Sequence, residues 1–322
     1  LSAVLRREIG HRRPWPQELL GTQHRGPSRV PKEGNRNMMA SDPSPSLSTQ
    51  LAAFRQVHPP RTRIIDGTAF QYYSAGPATQ PDQPAVVILP GLLGRGEMSF
   101  QLATWLKRCH RVIAPSWPRA ADSAEQLACA VAAILDGEGI VQAAVVGASF
   151  GGLLAQRFAL RYPDRVTHLV LADTSVPRPD RAAANRRAAR IIAVLPSRLV
   201  RWLLRQLSSR AMRGNDPSGF WAQYTAEVVA GLSADDLASR YRVAADLDAG
   251  PTLDGRAFAQ RTLLLESDDD PIVRKEAARA LREAFPGAAL HVFHKGGHSP
   301  AIRYPEQYAK VLADFFARPA VL

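Results

Sequence analysis

Apolar positions along this chain fall into short continuous runs separated by stretches of helical spacing. Ala85–Leu89 (AVVIL) is apolar throughout, and Val141–Gly147 (VQAAVVG), Thr167–Asp173 (THLVLAD) and Arg261–Ser267 (RTLLLES) each carry a shorter apolar run. Such runs suit strands buried on both faces of a parallel sheet. Arg111–Trp117 (RVIAPSW) and Ala288–Phe293 (AALHVF) read as two more strands. Between them the spacing predicts helices over Met98–Leu106, from Ser123 to near Leu135, and over Gly151–Tyr162, Val273–Phe285 and Glu306–Ala317. Ser123 with Gln126 reads as a capping box, and Pro163 closes the helix before it. Arg63–Tyr73 carries two β-rich runs about Asp66-Gly67, a hairpin signal. The alternation implies right-handed crossovers around a mostly parallel sheet with helices on both faces.

The alternation stops over residues 177–259, where the pattern is helical throughout. Ile191, Ile192, Leu199, Trp202, Leu203 and Leu207 supply apolar faces, with a break at Pro196; Phe220–Val229 and Leu237–Ala245 follow. An insertion at the carboxyl edge of a sheet sits where ligands bind, so this segment is expected to cap the site; the plainer alternative is that it covers one side of the sheet. The expected organisation is a basic extension over 1–50, a first core part over 51–176, the cap over 177–259 and a second core part over 260–322.

Charge refines this picture. The formal net charge of +12 is concentrated in two regions. Residues 1–40 hold eight Arg or Lys against three Glu, and residues 178–213 hold ten Arg against Asp180 alone, leaving the rest slightly acidic. The first region lacks apolar periodicity and is expected to be extended. It also lacks the compact apolar core of a secretory signal, so a cytoplasmic location is expected. Met38-Met39 leaves room for an internal translation start. No apolar stretch is long enough to cross a bilayer. Nucleic acid is not an expected partner, because no binding module accompanies the charge. Cys109 and Cys129 fall in segments read as buried helix and are expected to be reduced. Nothing in the sequence specifies an oligomeric state.

The chemistry centres on Val145–Gly152, VVGASFGG. A strand leading directly into G-x-S-x-G and then a helix is the context of a nucleophile elbow. Ser149 would stand at the helix N-terminus, but its hydroxyl needs a base. HVFHKGGHSP offers His291, His294 and His298. His298 is the first choice, because Gly296-Gly297 lets the chain turn its ring over the serine. The acid comes from Asp268-Asp269-Asp270, at least one of which should face solvent. Asp270 is the first choice, with Asp268 and Asp173 as alternatives. Backbone N–H groups of Phe150 and of Leu92, or Leu93 if the turn is set one residue later, are the expected oxyanion donors. No cofactor is expected: the glycine spacing is neither a P-loop nor G-x-G-x-x-G, and no H-E-x-x-H-type metal ligand set accompanies the histidines.

PGLLG (Pro90–Gly94), GASFGG (Gly147–Gly152), DDDPIV (Asp268–Val273) and GGHSP (Gly296–Pro300) together resemble the α/β-hydrolase superfamily over about residues 60–318. Many relatives carry His-Gly where this chain has Pro90-Gly91, which leaves the backbone donor in place. GASFGGLLAQRFA, DDLASRYRV and FPGAALHVFHKGGHSP also resemble stretches of maspardin, a relative whose triad is broken at the histidine position that His298 fills here. The resemblance implies an α/β-hydrolase fold with an inserted helical cap and a serine hydrolase that cleaves esters or related acyl compounds. A noncatalytic, maspardin-like interaction scaffold and a C–C bond hydrolase or haloperoxidase-like enzyme are the alternatives. Ser149 at the elbow disfavours chemistry that needs a nucleophilic Asp. A small acyl substrate, apolar or anionic, and peripheral contact with a membrane would suit the arginine-rich insertion.

Overall fold

The computed structural model describes residues 45–78, 83–212, 216 and 218–318. The basic residues before Pro45, including Met38-Met39, lie outside that range. Eight strands form one sheet: β1 (Arg61–Ile65), β2 (Thr68–Ala75), β3 (Ala85–Leu89), β4 (Val112–Pro115), β5 (Ala143–Ala148), β6 (Val166–Ala172), β7 (Thr262–Ser267) and β8 (Ala289–Phe293). Their spatial order is β1-β2-β4-β3-β5-β6-β7-β8. The β1–β2 and β2–β4 pairs are antiparallel, and every other neighbouring pair is parallel. The hairpin turns at Asp66-Gly67, both at positive φ (46° and 75°), which is why Asp-Gly suits a two-residue loop.

Eleven α-helices accompany the sheet among the described residues: α1 (Leu47–Val57), α2 (Phe100–Leu106), α3 (Ala124–Gly137), α4 (Phe150–Arg161), α5 (Pro179–Val194), α6 (Ser197–Met212), α7 (Phe220–Ala230), α8 (Ala234–Ala249), α9 (Lys275–Ala284), α10 (Pro300–Arg303) and α11 (Pro305–Phe316). Alternate residues of the central strands feed two cores. Val87 and Leu89 pack in one with Leu127, Val131 and Phe158 from α3 and α4. Val86 and Ile88 pack in the other with Phe54, Phe100 and Leu312 from α1, α2 and α11. This two-sided burial explains the continuous apolar runs, since neither face of these strands meets water. Each large apolar side chain buried in this way contributes roughly 1.5–3 kcal/mol.

Several local expectations are corrected. Helix α1 overlaps the end of the expected 1–50 extension, with Ser46 Oγ accepting from Thr49 N at 3.2 Å as its N-cap. The expected Met98–Leu106 helix is a 3₁₀ turn over Gly96–Ser99 followed by α2. Ser123 caps α3 by accepting from Gln126 N, but Gln126 Oε1 accepts from Asp122 N instead of completing the box. Cys109 lies after α2 rather than within a helix; both cysteines are free and only partly buried.

Helices α5–α8 lie between β6 and β7 in sequence. Asp248 on α8 is fully buried and accepts from Arg181 Nε at 2.7 Å, Arg181 Nη2 at 2.6 Å and Asn185 Nδ2 at 2.9 Å, tying α8 to α5. Ser239 Oγ of α8 contacts the carbonyls of Arg119 and Ala121 beyond β4. Val200 and Leu204 of α6 cluster with Val229 and Leu237, and Leu92 and Leu93 from the loop after β3 pack against them. The insertion therefore rests on the carboxyl edge of the sheet.

Candidate active site

Ser149 joins β5 to α4 at φ 53° and ψ −119°. A non-glycine residue in this region is strained, and such strain persists only where the surroundings hold it. Here Ser149 N donates to Ala172 O at 2.9 Å, and Ser149 O accepts from Thr174 Oγ1 at 2.7 Å. The neighbouring glycines are required by space. A Cβ on Gly147 would overlap the Gly151 carbonyl oxygen, and one on Gly151 would overlap that of Leu89. Phe150 opens α4, so its N–H has no intrahelical acceptor and lies at the positive end of the helix.

The same close approach sets the loop after β3 against the elbow. Gly94 N closes a turn on Gly91 O at 2.9 Å, with Leu92 and Leu93 between them. Gly94, at φ +68°, packs against the Arg240 guanidinium of α8. Arg240 is 4% exposed and donates to the carbonyls of Trp117 and Pro118, while Trp117 N donates to Gly94 O at 2.8 Å. Burial lowers the Arg240 pKa to about 10. An insertion residue thus braces the turn that carries Leu92. Sequence reasoning missed it, because an arginine in the helical stretch SRYRVAAD carries no local sign of being buried.

The three consecutive aspartates hold three different partners. Asp268 Oδ2 meets His294 Nδ1 at 2.6 Å, and its Oδ1 accepts from Lys295 N at 2.7 Å. Asp269 Oδ1 accepts from Gly297 N at 2.7 Å. Asp270 meets His298 Nδ1 through Oδ2 at 2.8 Å and Oδ1 at 3.1 Å, and Oδ1 also accepts from the N–H groups of Ile272 and Val273. The side chains of Asp270 and His298 are 3% and 13% exposed, against 42% and 77% for Asp268 and His294. Asp268 is held below the usual carboxylate range by the Lys295 N–H first and by His294 second. His291 lies on β8 against Phe293, and burial lowers its pKa.

Asp173 follows β6 at φ 40° and is 4% exposed. Burial first, and the Asp270 charge second, push its pKa well above the usual carboxylate range. Its Oδ1 has no hydrogen-bond partner among the described residues. The structure thus joins His298 to Asp270 by hydrogen bonds, and Ser149 to neither of them among the described residues. Thr174, the residue after Asp173, bonds only the Ser149 backbone carbonyl. Among the described residues no three His, Cys, Asp or Glu side chains gather as metal ligands, and no helix is long and apolar enough to cross a membrane.

Residues 84–303 match the family described as alpha/beta hydrolase fold. The chain is 30% identical to a 2-hydroxymuconate semialdehyde hydrolase from Pseudomonas putida, with 88% of this chain and 99% of the relative covered. It is 32% identical to a pimeloyl-[acyl-carrier protein] methyl ester esterase from Chromobacterium violaceum, covering 58% of this chain and 74% of that protein. Among solved structures, a hydrolase from Pseudomonas aeruginosa superposes with TM-score 0.66 at 19% identity, covering 81% of this chain and 99% of the other. An esterase from Exiguobacterium antarcticum does so with TM-score 0.64 at 18% identity, covering 80% and 98%. These two structural likenesses bear on the fold alone.

Proposed function

The chain belongs to the α/β-hydrolase fold family and is a hydrolase of that family, and from this premise we propose that it cleaves a carboxylic ester or related acyl substrate through Ser149, His298 and Asp270. The observation that carries the reading is the buried Asp270 carboxylate on His298 Nδ1, at the sheet edge where the strained elbow presents Ser149. A carboxylate on Nδ1 holds the imidazole with Nε2 free to accept a proton and stabilises the imidazolium that results.

In this mechanism Ser149 Oγ attacks the substrate carbonyl carbon as its proton passes to His298 Nε2. The N–H groups of Phe150 and Leu92 receive the developing oxyanion. Collapse of the intermediate breaks the bond to the alcohol oxygen, which takes the proton from His298, and the acyl group remains on Ser149. Water then attacks the acyl carbon, giving its proton to His298, and the proton returns to Ser149 Oγ as the acid leaves. In this reading the Ser149–His298 hydrogen bond forms as substrate enters, since catalytic hydrogen bonds are commonly long in the free enzyme and tighten in its complexes.

Helices α5–α8 act as the cap in this reading, supported by the packing of Leu92 and Leu93 against Val200, Leu204 and Val229. Their apolar side chains suit an acyl chain and their arginines an anionic group. The likeness to 2-hydroxymuconate semialdehyde hydrolase over nearly its whole length favours a second reading, hydrolysis of a C–C bond by the same residues.

Fluorophosphonate labelling of the full chain, compared with a folded Ser149→Ala variant, tests the nucleophile. Labelling that survives the substitution overturns it. A series of p-nitrophenyl esters of increasing chain length, run beside 2-hydroxymuconate semialdehyde, then separates the readings. Turnover of the semialdehyde alone would discard ester cleavage. A wild type that neither labels nor turns over any substrate would instead favour the interaction-scaffold reading.

A further inference from the structure

Of the twelve large apolar side chains exposed among the described residues, two lie on α5, Ile191 and Val194, and four on α6, Leu199, Trp202, Leu203 and Leu207. Lone exposed apolar residues need no explanation, but a contiguous set does. Helix α6 shows how the set is arranged. Val200 and Leu204, one turn apart, face inward to Val229 and Leu237. Leu199, Trp202, Leu203 and Leu207 occupy the next sector of the helix and remain 40–57% exposed. At 100° per residue, Arg198, Arg201 and Arg205 share the remaining sector. The helix therefore has one apolar sector that the fold uses, one that it leaves uncovered, and a cationic flank.

The charge of this stretch of chain is one-sided. Residues 181–213 contain nine arginines and no Asp or Glu. Arg181 is engaged by Asp248, whereas Arg186, Arg187, Arg190, Arg198 and Arg205 form no ion pair among the described residues. We propose that the α5–α6 surface docks on an anionic phospholipid bilayer, with Trp202, Leu203 and Leu207 entering the headgroup boundary and the flanking arginines meeting lipid phosphates. An exposed apolar stripe carrying Trp and Leu beside a basic face is the pattern of a helix lying in a membrane interface. A second copy of this chain is the poorer occupant, since two such faces would oppose arginines to arginines with no carboxylate between them. Docking would also have a functional consequence. The inward sector of α6 belongs to the cluster on which Leu92 and Leu93 pack, so the lipid surface would lie on the far side of that cluster from the loop proposed to bind the oxyanion. The proposal does not depend on the catalytic assignment.

The test is sedimentation of the full chain with phosphatidylcholine vesicles, with and without phosphatidylglycerol. The expected result is binding only when phosphatidylglycerol is present, weakened by salt, and a loss of about tenfold in bound fraction for Leu203→Glu/Leu207→Glu, which puts two carboxylates into the apolar sector. Both positions are exposed, so the double variant is expected to fold, and an unchanged thermal melt and circular dichroism spectrum would show that it has. Three results would each overturn the proposal. One is equal or absent binding to both vesicles. Another is binding that survives the double substitution, which would assign the attraction to the basic residues 1–40. The third is a dimer by light scattering that the same substitutions dissociate.

Discussion

Asp270→Asn is the sharpest perturbation of the proposed machinery, because the structure shows what the amide keeps and what it changes. Asn retains Oδ1, and with it the acceptor for the Ile272 and Val273 N–H groups at 2.7 and 3.0 Å, so the loop is expected to hold. It replaces Oδ2, 2.8 Å from His298 Nδ1, by an N–H donor. His298 Nδ1 must then accept, which moves the ring proton to Nε2, where it cannot take a proton from Ser149. The variant also loses the negative charge facing the imidazolium. For charges about 4 Å apart at an effective dielectric of ~20 that is worth about 4 kcal/mol, or roughly three powers of ten. With the wrong tautomer added, kcat is expected to fall about 10⁴-fold. Steady-state kinetics on the best p-nitrophenyl ester, with a thermal melt to show retained folding, measures this. Asp268→Asn should stay within a few-fold of wild type, because its partner is the exposed His294. An Asp270→Asn enzyme within tenfold of wild type, or an equal loss in Asp268→Asn, would refute the reasoning.

Asp173→Asn should leave kcat within a few-fold of wild type, because burial and Asp270 already favour the uncharged form. A carboxyl with a raised folded pKa gives stability that is complete below its unfolded value and is lost as pH rises toward the folded one; the Tm of the variant should therefore gain on wild type between pH 5 and pH 8 (roughly the window above the unfolded Asp value), and a parallel pair of Tm curves would show that Asp173 is ionised throughout. Glu138→Gln should cost about 3 kcal/mol in urea unfolding, at the low end for a buried pair because Arg61 stays half in water. Burial opposes the Glu138 charge, but donors from Arg111, Ser74, Tyr72 and Arg61 outweigh it and lower its pKa to about 2. That stability is present above the unfolded value near 4.5 and lost toward about 2, so wild type and variant should converge in acid. Gly151→Ala should destabilise by about 1–3 kcal/mol, since its Cβ strikes backbone that can move only with β3. It should lower kcat further than that loss alone implies, and an active, fully stable variant would argue against a tightly set elbow.

Much of the fold was legible in the sequence because its signals are local. Ala85–Leu89 is a strand with the predicted limits, and Asp66-Gly67 turns the hairpin. GASFGG could be placed between a strand and a helix because the crowding that selects its glycines involves residues close in sequence, together with the end of the neighbouring strand. Helix α1 was not legible, because only Leu51 and Phe54 of it are buried, and the second core that buries them is built by segments distant in the chain. Gln126 was misassigned within its cap, since two N–H groups one residue apart offer its side chain the same bond.

By itself the sequence determined the strand–helix alternation, the elbow at Ser149 and the presence of histidines and aspartates at the ends of the last strands. These follow from periodicity and from glycine's freedom, which are properties of short segments. Only the tertiary structure decided which carboxylate meets which imidazole. Asp268, Asp269 and Asp270 are alike in chemistry and adjacent in the chain, and they differ only in which part of the loop after β8 each one faces. The fates of Arg240 and of the α6 apolar residues were decided in the same way. Burial depends on what distant segments bring into contact: Gly94 and Trp117 enclose one arginine of the insertion, while nothing among the described residues covers Trp202.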